Sequence, residues 1–380
     1  MSNNTQTKKF CSAPWRGLHI NPRGDVKTCC AGDPNMLGNL NSHSIIDILS
    51  SDQLKDIRAS LRQGILHPEY CRNCIEAEKY GSSERQWHND VSPNVDYDLE
   101  EHRPALIDAR WNITCNLSCN YCGPKCSSKW AGLMQIKHQS GARPYYEQVC
   151  EYIQQHQDSV REVALVGGEP LLLPENRRLL SVIPKDATVT LITNLSVDFR
   201  DNSIVEKLRQ RSRVGWSMSF DNVGERFEYV RHGGSWELLN ENIAKIKTLT
   251  EIAGHWGGIH AVYNLYNCTR LCELREYADQ AGFAIQWQTL YQPDYLDPAM
   301  HSPWVRELAQ QEIQKYRQTF QQSPAELSFF DAVADRLANI DPDWETISAK
   351  FREHIHLIET KYHTKDLGKF QQLWPELAEI

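Results

Sequence analysis

The chain has 380 residues, of which 41% are hydrophobic and 24% are charged, and its formal net charge is −8. This length suits two or three units around a sizeable core, and the composition excludes a disordered chain. The negative charge argues against general nucleic-acid binding, no apolar run reaches the roughly 18 residues of a membrane span, and the first ten residues lack the apolar segment of a secretion signal. We therefore expect a cytoplasmic protein with neither a membrane nor nucleic acid as a general partner.

The sequence pattern divides the chain into four parts. Residues 1–87 form a unit that contains several cysteines, and residues 88–104 are polar and acidic with two prolines, which is typical of a linker. Residues 105–295 alternate strand-like and helix-like patterns. Residues 296–380 have a mainly helical pattern, and the sequence leaves open whether they cap the core or pack beneath it.

Six strand candidates lie in the third part, each short, apolar and bounded by Gly, Asn or Asp. They are residues 105–111, 160–166, 187–193, 214–220, 258–264 and 283–290. The clearest helical patterns between them are residues 145–156, 235–253 and 268–282. Such alternation predicts an α/β fold with a parallel sheet, and six units are too few for an eight-stranded barrel. We therefore predict a partial TIM-like (β/α)6 barrel with a small N-terminal Cys-rich module and a C-terminal helical region.

Twelve cysteines are unusual for a reducing compartment, where disulfides are rare. Cys115, Cys119 and Cys122 have the spacing C-x3-C-x2-C directly after the first predicted strand of the core. Three thiolates on one short loop can hold three corners of a 4Fe–4S cluster, which leaves one iron open, as a catalytic site requires. The alternatives are a zinc knuckle or inert core thiols. Cys126 fits no required ligand set and is interpreted as a spare thiol.

This loop, together with Gly-Gly-Glu-Pro at residues 167–170 after the second strand, resembles the radical S-adenosylmethionine (SAM) superfamily over residues 105–295. The resemblance implies that Glu169 contacts the amino group of SAM, Tyr121 lies near its adenine and Arg231 pairs with its carboxylate. The alternative for the weaker contacts is ordinary turn and cap residues. The full implied SAM-binding set is Tyr121, Gly167, Gly168, Glu169, Pro170, Thr193, Asn194, Ser219, Asp221 and Arg231.

A second set of cysteines lies in the N-terminal unit. Its pattern, C…G-x4-C…LGNL…C-x2-C, resembles the SPASM and twitch modules that hold auxiliary 4Fe–4S clusters. Those modules usually follow the radical SAM domain, whereas here the module precedes it. The resemblance implies one auxiliary cluster, and the alternative is a zinc site with four cysteine ligands. The predicted ligands are Cys11, Cys29, Cys71 and Cys74, with Cys30 as the alternative to Cys29.

The resemblance also implies a reaction. SAM is cleaved reductively at a 4Fe–4S cluster to a 5′-deoxyadenosyl radical, which abstracts hydrogen from a substrate. Its cofactors are SAM and two 4Fe–4S clusters, and its partner is an electron donor such as flavodoxin or ferredoxin. A peptide or protein substrate is favoured over a small molecule or a nucleotide, and the net reaction, oxidation or isomerisation, stays open.

Two functions of a different class also fit a cysteine-rich chain. One is a non-catalytic iron–sulfur carrier or scaffold, against which the complete three-cysteine loop and the Gly-Gly-Glu-Pro segment argue. The second is a zinc-stabilised binding protein, which iron and sulfide analysis distinguishes from both iron–sulfur functions. The sequence assigns no acid–base residue, and a lone histidine such as His19 is given no role.

Overall fold

We analysed a computed structural model, which describes residues 10–33, 35–78, 83–137, 144–290, 292–362 and 367–380. Its strands form one nine-stranded sheet in the order β3-β2-β1-β4-β5-β6-β7-β8-β9. The strands are β1 (Gly17–Ile20), β2 (Asp25–Lys27), β3 (Gly38–Asn39), β4 (Leu106–Ala109), β5 (Glu162–Leu165), β6 (Thr188–Thr193), β7 (Val214–Ser219), β8 (Trp256–Tyr263) and β9 (Ile285–Thr289).

Strands β4 to β9 are parallel neighbours in chain order, and they coincide with the six strands that the sequence predicts. The sheet has two ends, β3 and β9, so it is open. The predicted partial α/β barrel is therefore confirmed.

Helices connect and cover these strands. The three helical patterns singled out in the sequence correspond to α7, α11 and α12 below. The helices are α1 (Ala13–Arg16), α2 (Ile45–Leu49), α3 (Asp52–Arg62), α4 (Arg72–Glu78), α5 (Glu84–Val91), α6 (Ser128–Leu133), α7 (Tyr146–Gln155), α8 (Pro174–Val182), α9 (Ser203–Arg209), α10 (Gly224–Val230), α11 (Trp236–Ala253), α12 (Leu271–Ala281), α13 (Pro303–Thr319), α14 (Pro324–Asn339), α15 (Trp344–Tyr362) and α16 (Lys369–Leu373). Among the described residues, no helix is both long and apolar enough to cross a bilayer.

Strands β6 to β9 each present one buried face and one more open face, whereas β4 is buried along its whole length. In β6, Val189 and Leu191 are fully buried, whereas Thr190 and Ile192, which follow them in alternation, are not. Successive side chains of a strand point to opposite faces, so Val189 and Leu191 pack in the core. Thr190 and Ile192 lie on the opposite face, which is the more open one in this strand.

The N-terminal unit joins the same sheet, which the sequence pattern does not predict. Strand β1 pairs in parallel with β4, so that His19 lies opposite Asp108. Strand β2 pairs antiparallel with β1, and His19 also lies opposite Lys27. The predicted linker begins inside a helix, because α5 runs to Val91. The domain boundaries at residues 87 and 104 stay predictions.

Candidate functional site

The loop with the first cysteine set follows β4 and is held by hydrogen bonds from several elements. The Ser127 hydroxyl donates to the carbonyl of Leu117 at 2.7 Å, and the Trp130 indole donates to the carbonyl of Cys119 at 2.8 Å. On the other side, the backbone N–H of Asn120 donates to the carbonyl of Val230 at 2.8 Å. The loop is therefore held in place from both sides.

The C-terminal region supports this loop. Tyr362, at the end of α15, stacks on His232 with ring centroids 3.7 Å apart and meets Trp130 edge-on at 6.3 Å. The carbonyl of His232 in turn accepts the backbone N–H of Ser118 at 3.0 Å. The end of α15 therefore packs against the cysteine loop.

The three loop thiols lie together. Cys119 is buried and close enough to Cys115 and Cys122 for their charges to interact. Burial raises the pKa of the Cys119 thiol to about 12, although the charge of Arg231 opposes the shift. Thiols with raised pKa values stay protonated at neutral pH until a metal replaces the proton. Cys126 is exposed but hydrogen bonds with Cys122.

The Gly-Gly-Glu-Pro segment follows β5 and packs directly on the cysteine loop. An ideal Cβ on Gly168 would lie only 2.2 Å from the carbonyl oxygen of Thr114, so no larger residue fits there. The backbone N–H of Glu169 donates to the same carbonyl at 2.8 Å. Pro170 is buried, and its carbonyl accepts from the Asn176 amide at 2.9 Å. This segment therefore positions the loop, whatever else it binds.

The Glu169 carboxylate is buried and already hydrogen bonded. It accepts from the Thr193 hydroxyl at 2.8 Å and from the backbone N–H groups of Asn194 at 2.8 Å and Leu171 at 3.1 Å. Burial raises its pKa to about 7, although these hydrogen bonds oppose the rise. The Asn194 side chain lies 3.8 Å from the Cys115 sulfur. Three predicted residues thus meet beside the first thiol.

Three more predicted residues form a second buried group. The hydroxyl of Tyr121 and Nη2 of Arg231 both donate to one oxygen of Asp221, at 2.6 and 3.1 Å. The guanidinium also lies over the Tyr121 ring, 5.4 Å from its centroid. The other oxygen of Asp221 accepts from the backbone of Val262 at 2.7 Å. Ser219 lies nearby in sequence, half-buried on the inner face of β7.

Arg231 retains an unused donor. Its Nε–H is buried and has no hydrogen-bond partner within the described residues. A buried donor without a partner is costly, and a ligand with an acceptor removes that cost. The sequence does not predict the ion pair between Arg231 and Asp221, yet the free Nε–H fits an acceptor group in the adjacent space.

The second cysteine set also converges. Cys11 is buried and interacts electrostatically with Cys71 and Cys74, and Cys29 interacts with Cys11 and Cys71. Burial raises the pKa of Cys11 to about 12 and that of Cys71 to about 11. Cys30 instead donates to Oε2 of Glu84 at 3.2 Å. The two adjacent thiols therefore have different surroundings, and Cys29 is the one beside the other cysteines.

The chemistry of both sets fits clusters. In a cubane cluster each thiolate binds a different iron, so its ligands need not converge on one atom. Within the described ranges of the chain, no group of three or more His, Cys, Asp or Glu side chains is arranged to hold a single metal ion. The first set offers three thiols and the second offers four.

Comparison with known proteins gives two family matches. Residues 113–261 match the model of the radical SAM superfamily, and residues 11–75 match the model of SPASM, an iron–sulfur cluster-binding domain. A curated relative, the 7-carboxy-7-deazaguanine synthase of Clostridium acetobutylicum, is 35% identical over 129 residues, which are 33% of this chain and 52% of the relative. The chain thus spans about half the length of that relative.

Solved structures give a weaker likeness. The structure of anSMEcpe with bound AdoMet has 17% identity and a TM-score of 0.41, over 58% of this chain and 63% of the other. The structure of Streptococcus suis SuiB bound to S-adenosylmethionine also has 17% identity, with a TM-score of 0.37 over 55% of this chain and 43% of the other. The two family matches show a radical SAM domain and, before it, a SPASM domain, in the order that the sequence predicts.

Proposed function

We propose that the protein cleaves SAM reductively with a 4Fe–4S cluster held by Cys115, Cys119 and Cys122, and that it abstracts hydrogen from a substrate inside the open barrel. When bound there and reduced, such a cluster supplies the electron that splits SAM into methionine and the radical that takes the hydrogen atom. The observation that carries this proposal is the convergence of three buried or half-buried thiols on one fixed loop beside Glu169 and Arg231.

The chain's own residues supply the binding site for SAM. The Glu169 carboxylate accepts three hydrogen bonds, and a carboxylate has about four acceptor sites, so one remains for the amino group of SAM. Arg231 offers its Nε–H to the carboxylate of SAM, while Asp221 holds the guanidinium in place. Tyr121, which is fixed by the same Asp221, offers its ring to the adenine. Gly167, Gly168, Pro170, Thr193, Asn194 and Ser219 complete the proposed set.

The proposed reaction is tested with a matched pair of cysteine variants. Purified without oxygen and given dithionite and SAM, the reconstituted protein should release 5′-deoxyadenosine. Cys119→Ala should abolish that release, because one of three cluster ligands is gone. Cys126→Ala, four residues past Cys122 and outside the ligand set, should retain it. The 5′-deoxyadenosine that each variant releases is measured by chromatography. An active Cys119→Ala variant would refute the ligand assignment.

Glu169 gives the SAM site a predicted pH dependence. Its pKa of about 7 lies above the ordinary value for glutamate, so the carboxyl group gains a proton as the pH falls through 7. The protonated form loses negative charge and an acceptor, so SAM should bind several-fold more weakly at pH 6 than at pH 7.5. Titration of the reconstituted protein with SAM measures this. Equal affinity at both pH values, or the same pH dependence in Glu169→Gln, would contradict the assignment.

The second cofactor proposal is one auxiliary 4Fe–4S cluster on Cys11, Cys29, Cys71 and Cys74. Four thiolates close a cluster completely, which suits electron transfer or support of the fold. The surroundings of Cys29 and Cys30 support the choice of Cys29. The proposed electron donor is a flavodoxin or a ferredoxin.

The substrate that we propose first is a peptide or protein. A small molecule is the second candidate, and it is favoured by the curated relative whose name describes synthesis of 7-carboxy-7-deazaguanine. Deuterium transfer distinguishes a peptide substrate from a small-molecule substrate. A panel of deuterated peptides and deuterated heterocycles is incubated with protein, SAM and dithionite, and the class that delivers deuterium into 5′-deoxyadenosine is the substrate class.

A further inference from the structure

A cluster of charged side chains lies where the SPASM domain joins the barrel, and none of its members is among the residues proposed to bind SAM. It consists of Lys27 on β2, His19 on β1, and Asp108 and Arg110 at and after β4. His19 on β1 lies opposite Lys27 on the neighbouring strand β2 and opposite Asp108 on the other neighbour, β4. The three side chains therefore share one face of the sheet. Asp108 lies opposite Ala164, and Ala164 lies opposite Thr190, so the cluster lies on the same face of the sheet as those two residues.

The carboxylate of Asp108 is engaged at both oxygens. One oxygen accepts Nε–H of Arg110 at 3.0 Å, and the other accepts Nη2–H of Arg110 at 2.8 Å and lies 3.0 Å from Nδ1 of His19. The side chains of His19 and Asp108 are each 5% exposed, whereas that of Arg110 is 36% exposed. Asp108 therefore holds the guanidinium of Arg110 in place, while part of the Arg110 side chain stays exposed.

Donors outnumber acceptors in this cluster. The described contacts use two of the five N–H groups of Arg110. The ammonium of Lys27 donates to the carbonyl of Cys30, which uses one of its three N–H groups. Glu84, the neighbouring carboxylate, accepts from the Cys30 thiol at 3.2 Å. The guanidinium of Arg110, whose side chain is 36% exposed, thus keeps donors for a ligand, and the buried ammonium of Lys27 adds positive charge beside it.

The cluster also lies near both cysteine-containing segments. Arg110 is near enough to Cys30, in the SPASM domain, and to Cys126, just past the radical SAM loop, for their charges to interact. Lys27 and Arg110 interact with each other in the same way. A ligand held by these two cations would therefore lie near thiols of both cysteine-containing segments.

We propose that Arg110 and Lys27 form an oxyanion-binding subsite for the substrate, so that the substrate carries a carboxylate or a phosphate group. This rests on the proposed function, because it assumes that the substrate occupies the barrel. Guanidinium and ammonium groups are the side chains that bind such groups by charge-assisted hydrogen bonds. His19 and Asp108 are positioning residues that hold Arg110.

The test measures binding of acetate and of inorganic phosphate to the reconstituted protein with saturating SAM and no reductant. Saturating SAM fills the proposed carboxylate site at Arg231, so the acetate and phosphate probes cannot bind there. Line widths of ¹³C-acetate and of ³¹P-phosphate are followed during titration. The wild-type protein should bind at least one of the two saturably, and the one that binds identifies the group.

Arg110→Gln should weaken that binding by at least about tenfold, which corresponds to the loss of a charge-assisted hydrogen bond. The matched control is Arg23→Gln, since Arg23 likewise pairs through Nε with an aspartate two residues away, at 3.0 Å, but is 70% exposed at the hairpin. The control should bind as the wild type does. If Arg110→Gln fails to fold, the double variant Asp108→Asn/Arg110→Gln leaves no unpaired buried charge and is measured instead.

Three results would overturn the subsite: no saturable binding to the wild-type protein, unchanged binding in Arg110→Gln or its double variant, or an equal loss in Arg23→Gln. Release of 5′-deoxyadenosine by the same wild-type preparation tests the proposed function separately. A protein that cleaves SAM but binds neither anion keeps the function and loses the subsite.

Discussion

Replacing Gly168 with alanine should remove the radical SAM cluster although the substitution adds one methyl group. The new Cβ would lie 2.2 Å from the carbonyl oxygen of Thr114 and 2.6 Å from that of Ile113, both in the backbone of the segment that leads into the cysteine loop. Backbone atoms cannot rotate away, so the loop itself must shift. Overpacking of this kind typically costs about 1–3 kcal/mol. The iron content should fall from about eight per chain to about four, one cubane's worth.

Gly123→Ala is the matched control. Gly123 lies in the same loop, one residue past Cys122, and an added Cβ there meets nothing within 4 Å. This variant should keep its iron and its unfolding temperature. Both variants are compared by iron and sulfide analysis and by thermal unfolding. A Gly168→Ala protein with its full iron content would contradict the prediction, because the loop would then tolerate the displacement.

Replacement of Cys29 and replacement of Cys30 should have different effects on the iron content of the protein. Cys29→Ala removes a thiol that lies beside Cys11 and Cys71, so the auxiliary cluster should be lost and the iron content should fall by about half. Cys30→Ala removes a thiol that bonds to Glu84, and its iron content should stay unchanged. A small domain that depends on metal loses stability with it, so Cys29→Ala should also unfold at a lower temperature.

Spectroscopy with SAM completes this comparison. In Cys29→Ala the remaining cluster is the one with an open iron, so added SAM should perturb its spectrum. In a variant that lacks Cys115, Cys119 and Cys122, added SAM should leave the remaining spectrum unperturbed. If Cys30→Ala is the variant that loses iron, the ligand set must be revised to include Cys30.

The sequence predicts the core well because its signals are local. Each of the six core strands is a short apolar run, and the cysteine loop lies at the end of the first of them, so fold and loop follow from neighbouring residues. Strands β2 and β3 escape prediction because they have three and two residues, and runs that short carry no readable alternation. Strand β1 has four residues, as β4 has, and its place in the sheet follows from its pairing with β4, which lies far along the chain.

The details of the site depend on contacts between distant residues. The sequence predicts that Asp221 and Arg231 each face SAM, whereas the structure pairs them with each other. Glu169 is predicted from its motif, but its partners Thr193 and Asn194 lie 24 and 25 residues away. The pairing of His19 with Asp108 spans 89 residues, and no pattern in the sequence indicates it.

The shared sheet has a consequence for how the two cysteine sets are spaced. Because β1 is hydrogen bonded to β4, the spacing is set by a ladder of backbone bonds and not by the length of residues 92–104 that connect the domains. That connection can grow or shrink without altering this spacing, since an added loop residue changes closure entropy and leaves the ladder intact. The separation of the two proposed clusters is thus built into the register of the strands and not into the connection between the domains.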